Sequence, residues 1–248
     1  MSLSKKLFSG GAAAPSHTTD NLVQYLNAAD STSAANFSAG SQSGGVTWVD
    51  LSGNGRDASI NTSGATFSYT DSTYFTVPAA MLSNLGNIGS AIGAGAFTLE
   101  IFFYVDSSLY SAYPAYVNAL GQVGVGASGF IWYIDTVATQ QQQLSVYSSG
   151  TGYHIGVNHT PTVNRFNQYV AVRESTSSVK FYVDGSHVGT STATNNYTAG
   201  TTVVIGNYTT SGTNYLRGRM GLIRIYSDAL TASEVTDNWN ANRATFGR

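Results

Sequence analysis

Glu100, Glu174 and Glu234 are the only glutamates in the sequence, and they are the first place to look for acid–base chemistry. A retaining glycosidase holds two carboxyl groups about 5–5.5 Å apart. On a strand, that spacing asks for a second carboxylate two or four residues away. None of the three glutamates has one. Glu100 and Asp106 are six apart, and Asp106 falls past the end of the strand that Glu100 sits on. Glu234 closes the run Thr231-Ala-Ser-Glu234, which has the spacing of a helix-capping box and gives that carboxylate a structural role. No serine sits in a nucleophile elbow, and no glycine pattern joins a strand to a helix as phosphate cradles require. The chain is therefore not expected to be an enzyme.

Metal chemistry has one candidate. Asp50, Asn54 and Asp57 lie in a glycine-rich turn, and such oxygens with nearby carbonyls can hold calcium. The competing role is an Asx turn, with Asp50 accepting from the N–H groups of Ser52 and Gly53. That turn role is the expected one, so no cofactor beyond a structural calcium is foreseen. His154 and His159 are five apart, on opposite faces of a strand, and the chain has no cysteine, so zinc is not expected.

Binding chemistry is more plentiful. The chain has 16 tyrosines, and several lie in or next to loops. Tyr110, Tyr113, Tyr153 and Tyr208 are the candidates for glycan contact, with Tyr116, Tyr197 and Tyr215 similarly placed. Tyrosine-rich loops suit protein contacts equally well. A second candidate is the N-terminal stretch, where Lys5 and Lys6 precede Leu7 and Phe8 and a Gly/Ala/Ser/Pro segment follows. Residues 1–20 read as an extended arm whose Lys5, Lys6, Leu7 and Phe8 dock on a partner, ahead of one domain over 21–248.

The elements that must position these residues are strands. Phe97–Val105 alternates cleanly, with Phe97, Leu99, Ile101, Phe103 and Val105 on one face and Thr98, Glu100, Phe102 and Tyr104 on the other. Phe166–Arg173 puts Phe166, Gln168, Val170 and Val172 together. Val179–Gly189 is a hairpin about the type I′ signal Asp184-Gly185. Leu22–Leu26, two short strands within Gly64–Val77, Phe130–Ile134, Leu144–Tyr147, His154–Val157 and Thr202–Gly206 complete the set. Ala28–Gly45 and the glutamine run Gln140–Gln143 read as loops, and Ala79–Leu85 as a short helix or turn. Trp48 reads as a core anchor.

Leu216–Glu234 reads as a long strand running into a capped helix. Ile223 and Ile225 take one face, and Met220, Leu222, Arg224 and Tyr226 the other. Gly218 and Gly221 leave room for a neighbouring backbone or ring. Arg217, Arg219 and Arg224 have no matching acidic cluster in the sequence pattern. The helix covers about Ala232 to Asn242, with Val235 and Trp239 on one face.

Composition bounds the partners. Charged residues are 10% of the chain, against about 25% in a typical domain. The net charge is -2, which argues against nucleic acid. No apolar run approaches the ~18–20 residues of a membrane span. The first residues are too weakly apolar for a signal-peptide core, so no Sec export is expected. The turn-bounded strands and single terminal helix define an all-β, two-sheet antiparallel sandwich.

The run Trp48-Val-Asp-Leu-Ser-Gly-Asn-Gly-Arg-Asp-Ala, the strand Phe97–Val105, the hairpin Val179–Gly185, and Gly218 through Val235 occur in an order that resembles the laminin-G-like / concanavalin A-like jelly roll. The resemblance covers about residues 20–247. It implies a jelly-roll sandwich with a convex and a concave sheet, in a family of lectins, adhesion modules, glucanases and structural proteins of tailed phages. The Glu-x-Asp-x-x-Glu run of its glucanases is absent. The charged-and-glycine arm over Met1–Pro15 looks like that of phage virion proteins, especially those of cyanobacterial phages. The resemblance thus implies a virion structural protein, foremost a capsid decoration or cement protein and next a tail or fibre component. Its partners would be other virion proteins and further copies of itself. The alternative is a carbohydrate-binding adhesin or receptor-binding module, with a glycoside hydrolase third.

Overall fold

The computed structural model describes residues 16–61, 66–70, 72–77, 82–84, 88–92, 95–107, 117–123, 129–134, 141–148, 151–160, 162–192, 202–205 and 218–248. Among these the chain forms seventeen strands and two helices. The strands are β1 (Leu22–Asn27), β2 (Gly40–Ser43), β3 (Val46–Trp48), β4 (Ala58–Asn61), β5 (Thr66–Thr70), β6 (Tyr74–Val77), β7 (Leu82–Asn84), β8 (Phe97–Tyr104), β9 (Val117–Val123), β10 (Gly129–Ile134), β11 (Gln141–Ser148), β12 (Thr151–Asn158), β13 (Phe166–Ser175), β14 (Ser178–Val183), β15 (Ser186–Ser191), β16 (Thr202–Ile205) and β17 (Gly218–Tyr226). The helices are α1 (Ile88–Ile92) and α2 (Ala232–Asn242).

The strands pair antiparallel in two sheets. One runs β15-β14-β13-β8-β17-β6-β5-β2, with β1 also on β17; the other runs β12-β11-β10-β9-β16-β7-β4-β3. One core joins them: Trp48, Ala58 and Ile60 from the second sheet pack with Phe67, Phe97, Leu99, Ile101, Phe103, Ile223 and Ile225 from the first. This is the expected sandwich with its single C-terminal helix.

The outward face of the first sheet is also buried. Thr98, Glu100 and Phe102 of β8, Val170 and Val172 of β13, and Leu222, Arg224 and Tyr226 of β17 are all closed to solvent. The C-terminal segment covers them. Val235 joins Val170, Val172 and Tyr226 in one cluster, and Phe246 joins Phe102 and Leu222 in another. Phe102 stacks on Phe246 at 4.9 Å and on Trp239 at 5.9 Å.

Helix α2 starts where the capping box predicts. The Glu234 N–H donates to the Thr231 hydroxyl at 3.3 Å, and the Glu234 carboxylate accepts from the Thr231 N–H at 2.7 Å. The hairpin turn has the backbone its sequence requires, with Asp184 and Gly185 both at positive φ, 50° and 75°. The two glycines of β17 answer close approaches. A Cβ at Gly218 would lie 2.3 Å from the Tyr104 carbonyl, and one at Gly221 would lie 2.2 Å from the Phe246 ring.

Four expectations need correction. Register slips between Met220 and Leu222 where β17 pairs with β8, so Met220 lies in the core with Ile223 and Ile225 rather than with Leu222. Leu82–Asn84 is a strand, because β4 and β16 pair with it on both sides. Gln141–Gln143 belongs to a strand held between β10 and β12, where ladder hydrogen bonds outweigh composition. Within the expected loop Ala28–Gly45, Gly40–Ser43 pairs with β5. Strand β9 carried no recognised signal.

Candidate functional site

Under α2, the outward face of the first sheet holds a closed polar cluster. Glu100 of β8 opposes Arg224 of β17 in the ladder, and their side chains form an ion pair at 3.1 Å with neither exposed. Gln168 of β13 donates to Glu100 Oε1 at 2.8 Å, and Asn238 of α2 donates to Oε2 at 2.8 Å. Asn238 also donates to the Tyr226 hydroxyl at 2.9 Å. The Arg224 guanidinium lies over the Tyr25 ring at 4.6 Å. Burial works against the arginine charge, but Glu100, with Tyr226 and Tyr25, holds its pKa above the ordinary value. Burial, and then the Glu100 charge, pushes the Tyr226 phenol well up.

The segment that leads in from the N-terminus crosses this cluster. The Thr18 N–H donates to Asn238 Oδ1 at 2.7 Å, and the Tyr226 hydroxyl donates to the Thr18 carbonyl at 3.1 Å. His17 packs on Tyr25 with ring centroids 4.7 Å apart. Partial burial and the Arg224 charge lower its pKa to about 4. Lys5, Lys6, Leu7 and Phe8 themselves lie outside the described residues.

This geometry answers the question of chemistry. Glu100 has both oxygens engaged and no route to solvent. Its partner Arg224 corrects the expectation that the arginines of β17 lack an acid. The pairing was hidden because the two residues are 124 positions apart and meet only through strand register. Glu174 accepts from Lys180 at 2.5 Å and from Ser178 at 2.8 Å on an exposed hairpin, and those bonds lower its pKa. Glu234 is the helix cap.

The aspartate turn is a clamp on β1. Asp50 Oδ1 accepts from the N–H groups of Tyr25 and Ser52, both at 2.9 Å. Its Oδ2 accepts from the Ser52 hydroxyl at 2.7 Å and the Arg56 N–H at 2.9 Å. The Asx-turn expectation holds at Ser52, while Arg56 rather than Gly53 is the further donor. Asp57 accepts from the Asp50 N–H at 2.8 Å, and Asn54 donates to the carbonyls of Leu22 and Val23 at 2.8 and 3.1 Å. Four donors fill the acceptor capacity of Asp50. Among the described residues no three His, Asp or Glu side chains group as a metal site.

Asp184 does more than turn the hairpin. Its Oδ2 pairs with Arg165 at 2.8 Å and Arg248 at 2.9 Å, tying the C-terminal residue to the β14–β15 turn. Of the glycan candidates, Tyr110, Tyr113 and Tyr208 lie outside the described residues, as do Tyr116, Tyr197 and Tyr215. Tyr153 falls within β12.

The sequence matches the model of the Concanavalin A-like lectin/glucanases superfamily over residues 69–236. No curated protein matches it. Among solved structures, the chain is similar to domain 4 of AbnA, a GH43 extracellular arabinanase from Geobacillus stearothermophilus in complex with arabinotriose. The TM-score is 0.65 at 16% identity, covering 88% of this chain and 98% of that one. It is also similar to Trypanosoma rangeli sialidase in complex with 2,3-difluorosialic acid, with a TM-score of 0.65 at 15% identity. That match covers 100% of this chain but 36% of the sialidase. At these identities the likeness is one of fold.

Proposed function

The chain belongs to the concanavalin A-like lectin/glucanases superfamily, and from that premise we propose that it is a non-catalytic binding module serving as a structural protein of a phage particle. The observation that carries the non-catalytic reading is the state of its glutamates. Glu100 is sealed in an ion pair, Glu174 is tied to Lys180, and Glu234 caps a helix. Among the described residues, none is left beside a second carboxylate where a glycosidic bond could lie between them. The virion setting is supported by the arm sequence, with its Lys5-Lys6-Leu7-Phe8 run. It is supported also by the way Thr18, at the arm's root, is bonded to α2 and β17. A tether needs such a mechanical link to its domain. In this role the domain decorates or cements a capsid, with a tail location as the neighbouring case. Particles assembled with the chain lacking residues 1–15 should lose it from the virion; full occupancy by the truncated protein would refute the tether.

A second reading has its own support. The arabinanase domain, alike over nearly its whole length, is in complex with arabinotriose. A glycan-binding module is the version of this fold that would carry an adhesin or receptor-binding role.

A further inference from the structure

Residues 16–20 form a strap over the sealed polar cluster, and little holds it there. Ser16, Thr19 and Asp20 are exposed. Thr18 supplies two hydrogen bonds, one with Asn238 of α2 and one with Tyr226 of β17. His17 supplies a ring contact on Tyr25 of β1. A segment fixed by so few contacts belongs to the low end of local stability. Beneath the strap a second positive charge is costly. Arg224 is closed to solvent, and its Nε and Nη2 have no hydrogen-bond partner.

His17 is the half-buried titratable group of the strap. Among the described residues no carboxylate pairs with its ring. From β17 it meets Arg224 and Tyr226, and from β1 it meets Tyr25. Glu100 of β8 lies below, with its oxygens already taken by Arg224, Gln168 and Asn238. Helix α2 meets the strap through the neutral Asn238. Asp50 is engaged with the Tyr25 N–H, and Asp228 with Asn21. Asp20, on the strap itself, is exposed. Arg224 is the charge that acts on His17, and it acts against protonation. The Tyr25 ring centre is 4.7 Å from that of His17 and 4.6 Å from the Arg224 guanidinium. A protonated His17 therefore stands within about 9 Å of a buried cation, comparable with the ~8–10 Å over which salt screens charge.

We infer that this strap is an acid-released latch: protonation of His17 beside Arg224 lifts residues 16–20 off β17 and α2 while the sandwich stays folded. The direction follows from linkage. The closed strap holds the His17 pKa down to about 4, whereas a released strap returns it to its ordinary 6.5. The released form takes up the proton first as pH falls, so closure is full above about pH 6.5 and is lost progressively towards about pH 4. Release adds five residues, about 17 Å at ~3.4 Å each, to the reach of whatever the N-terminal end holds. The inference goes beyond the tether reading, since the latch opens or stays shut whether or not the arm engages a particle.

Amide hydrogen exchange of the full chain reads the latch directly, because the Thr18 N–H is held by Asn238. Exchange is followed by NMR from about pH 7 to about pH 4 and corrected for its intrinsic pH dependence. An unscreened shift would move the strap equilibrium by roughly 300-fold. Partial exposure of the ring reduces the expected fall in Thr18 protection to roughly fivefold, while the Ile101 and Ile223 amides keep theirs. His17→Gln and His17→Phe cannot take up the proton, so in each the Thr18 protection should change by less than about twofold over the same range, whatever its starting level. Thr18 protection in the parent that does not depend on pH would overturn the latch. So would a fall that persists in both variants, or one that Ile101 and Ile223 share.

Discussion

Replacing Glu100 by glutamine tests whether the buried carboxylate is structural. The substitution keeps shape and volume but removes the charge that compensates Arg224, and both side chains are closed to solvent. Glu100 accepts from Arg224 at 3.1 Å and from Gln168 and Asn238 at 2.8 Å each. A glutamine amide must turn its NH2 toward at least one of these donors. Hydrogen bonds to a charged group contribute about 1.5–3 kcal/mol each. Breaking a buried ion pair by removing one partner costs about 3–5 kcal/mol. The expected loss is therefore about 3–5 kcal/mol, a large part of the ~5–15 kcal/mol available to a domain. Urea unfolding at low temperature, with the parent, Glu100→Gln, Arg224→Met and the double variant, forms a double-mutant cycle. The double variant should recover a substantial part of the loss, since no uncompensated charge then remains inside. A loss below about 1 kcal/mol for Glu100→Gln would refute the reasoning, and the same change abolishing a glycan-cleaving activity would assign Glu100 to catalysis instead.

Three further outcomes follow from the geometry. Gly221→Ala puts a methyl 2.2 Å from the Phe246 ring and should cost about 1–3 kcal/mol, read as a lower thermal midpoint; Phe246→Ala in the same background should relieve part of the clash. His17 titrates near pH 4 in the folded chain against an ordinary value of 6.5, so the unfolded chain takes up the proton first as pH falls. Stability is full above about pH 6.5 and declines down to about pH 4. Because the ring is only half-buried, solvent screening reduces this to about 1 kcal/mol, and His17→Gln should flatten that part of the pH–stability curve. Asp50→Ala strips an acceptor from the buried Tyr25 N–H and should cost more than about 2 kcal/mol, whereas EDTA should leave the parent's midpoint where it is.

What the sequence made legible was local. The alternation of Phe97–Val105, the Asp184-Gly185 turn and the Thr231–Glu234 capping box each lie within a dozen residues, and each has the predicted form. Gly218 and Gly221 were legible too, because a strand glycine implies a close neighbour, although the neighbours Tyr104 and Phe246 were not. What escaped depends on pairing between distant segments. Nothing in the pattern of β17 signals the slip at Gly221 that turns Met220 inward. The glutamine run looks like a loop until β10 and β12 flank it. Glu100 and Arg224 each resemble a lone charge until two strands bring them opposite one another.

The ion pair bears on a difficulty that β17 creates for itself. The strand carries a bulge three residues before Arg224, and a bulged strand can re-pair one residue away at modest cost in ladder hydrogen bonds. Such a slip would exchange the two faces of everything beyond it. Apolar side chains resist the slip weakly here, because both faces of β8 and β17 are buried and Leu222 or Ile223 would be tolerated on either. Charge does not have that freedom. With Glu100 and Arg224 directly opposed, a shift of one residue buries two uncompensated ions. The pair should therefore fix register more than it adds stability. In the Glu100→Gln/Arg224→Met variant the fold should persist with part of its stability restored. Its amide spectrum should nevertheless show doubled or exchange-broadened resonances along Met220–Tyr226 and their β8 partners. A single sharp set of resonances there, equal in number to the parent's, would mean that packing alone holds the register.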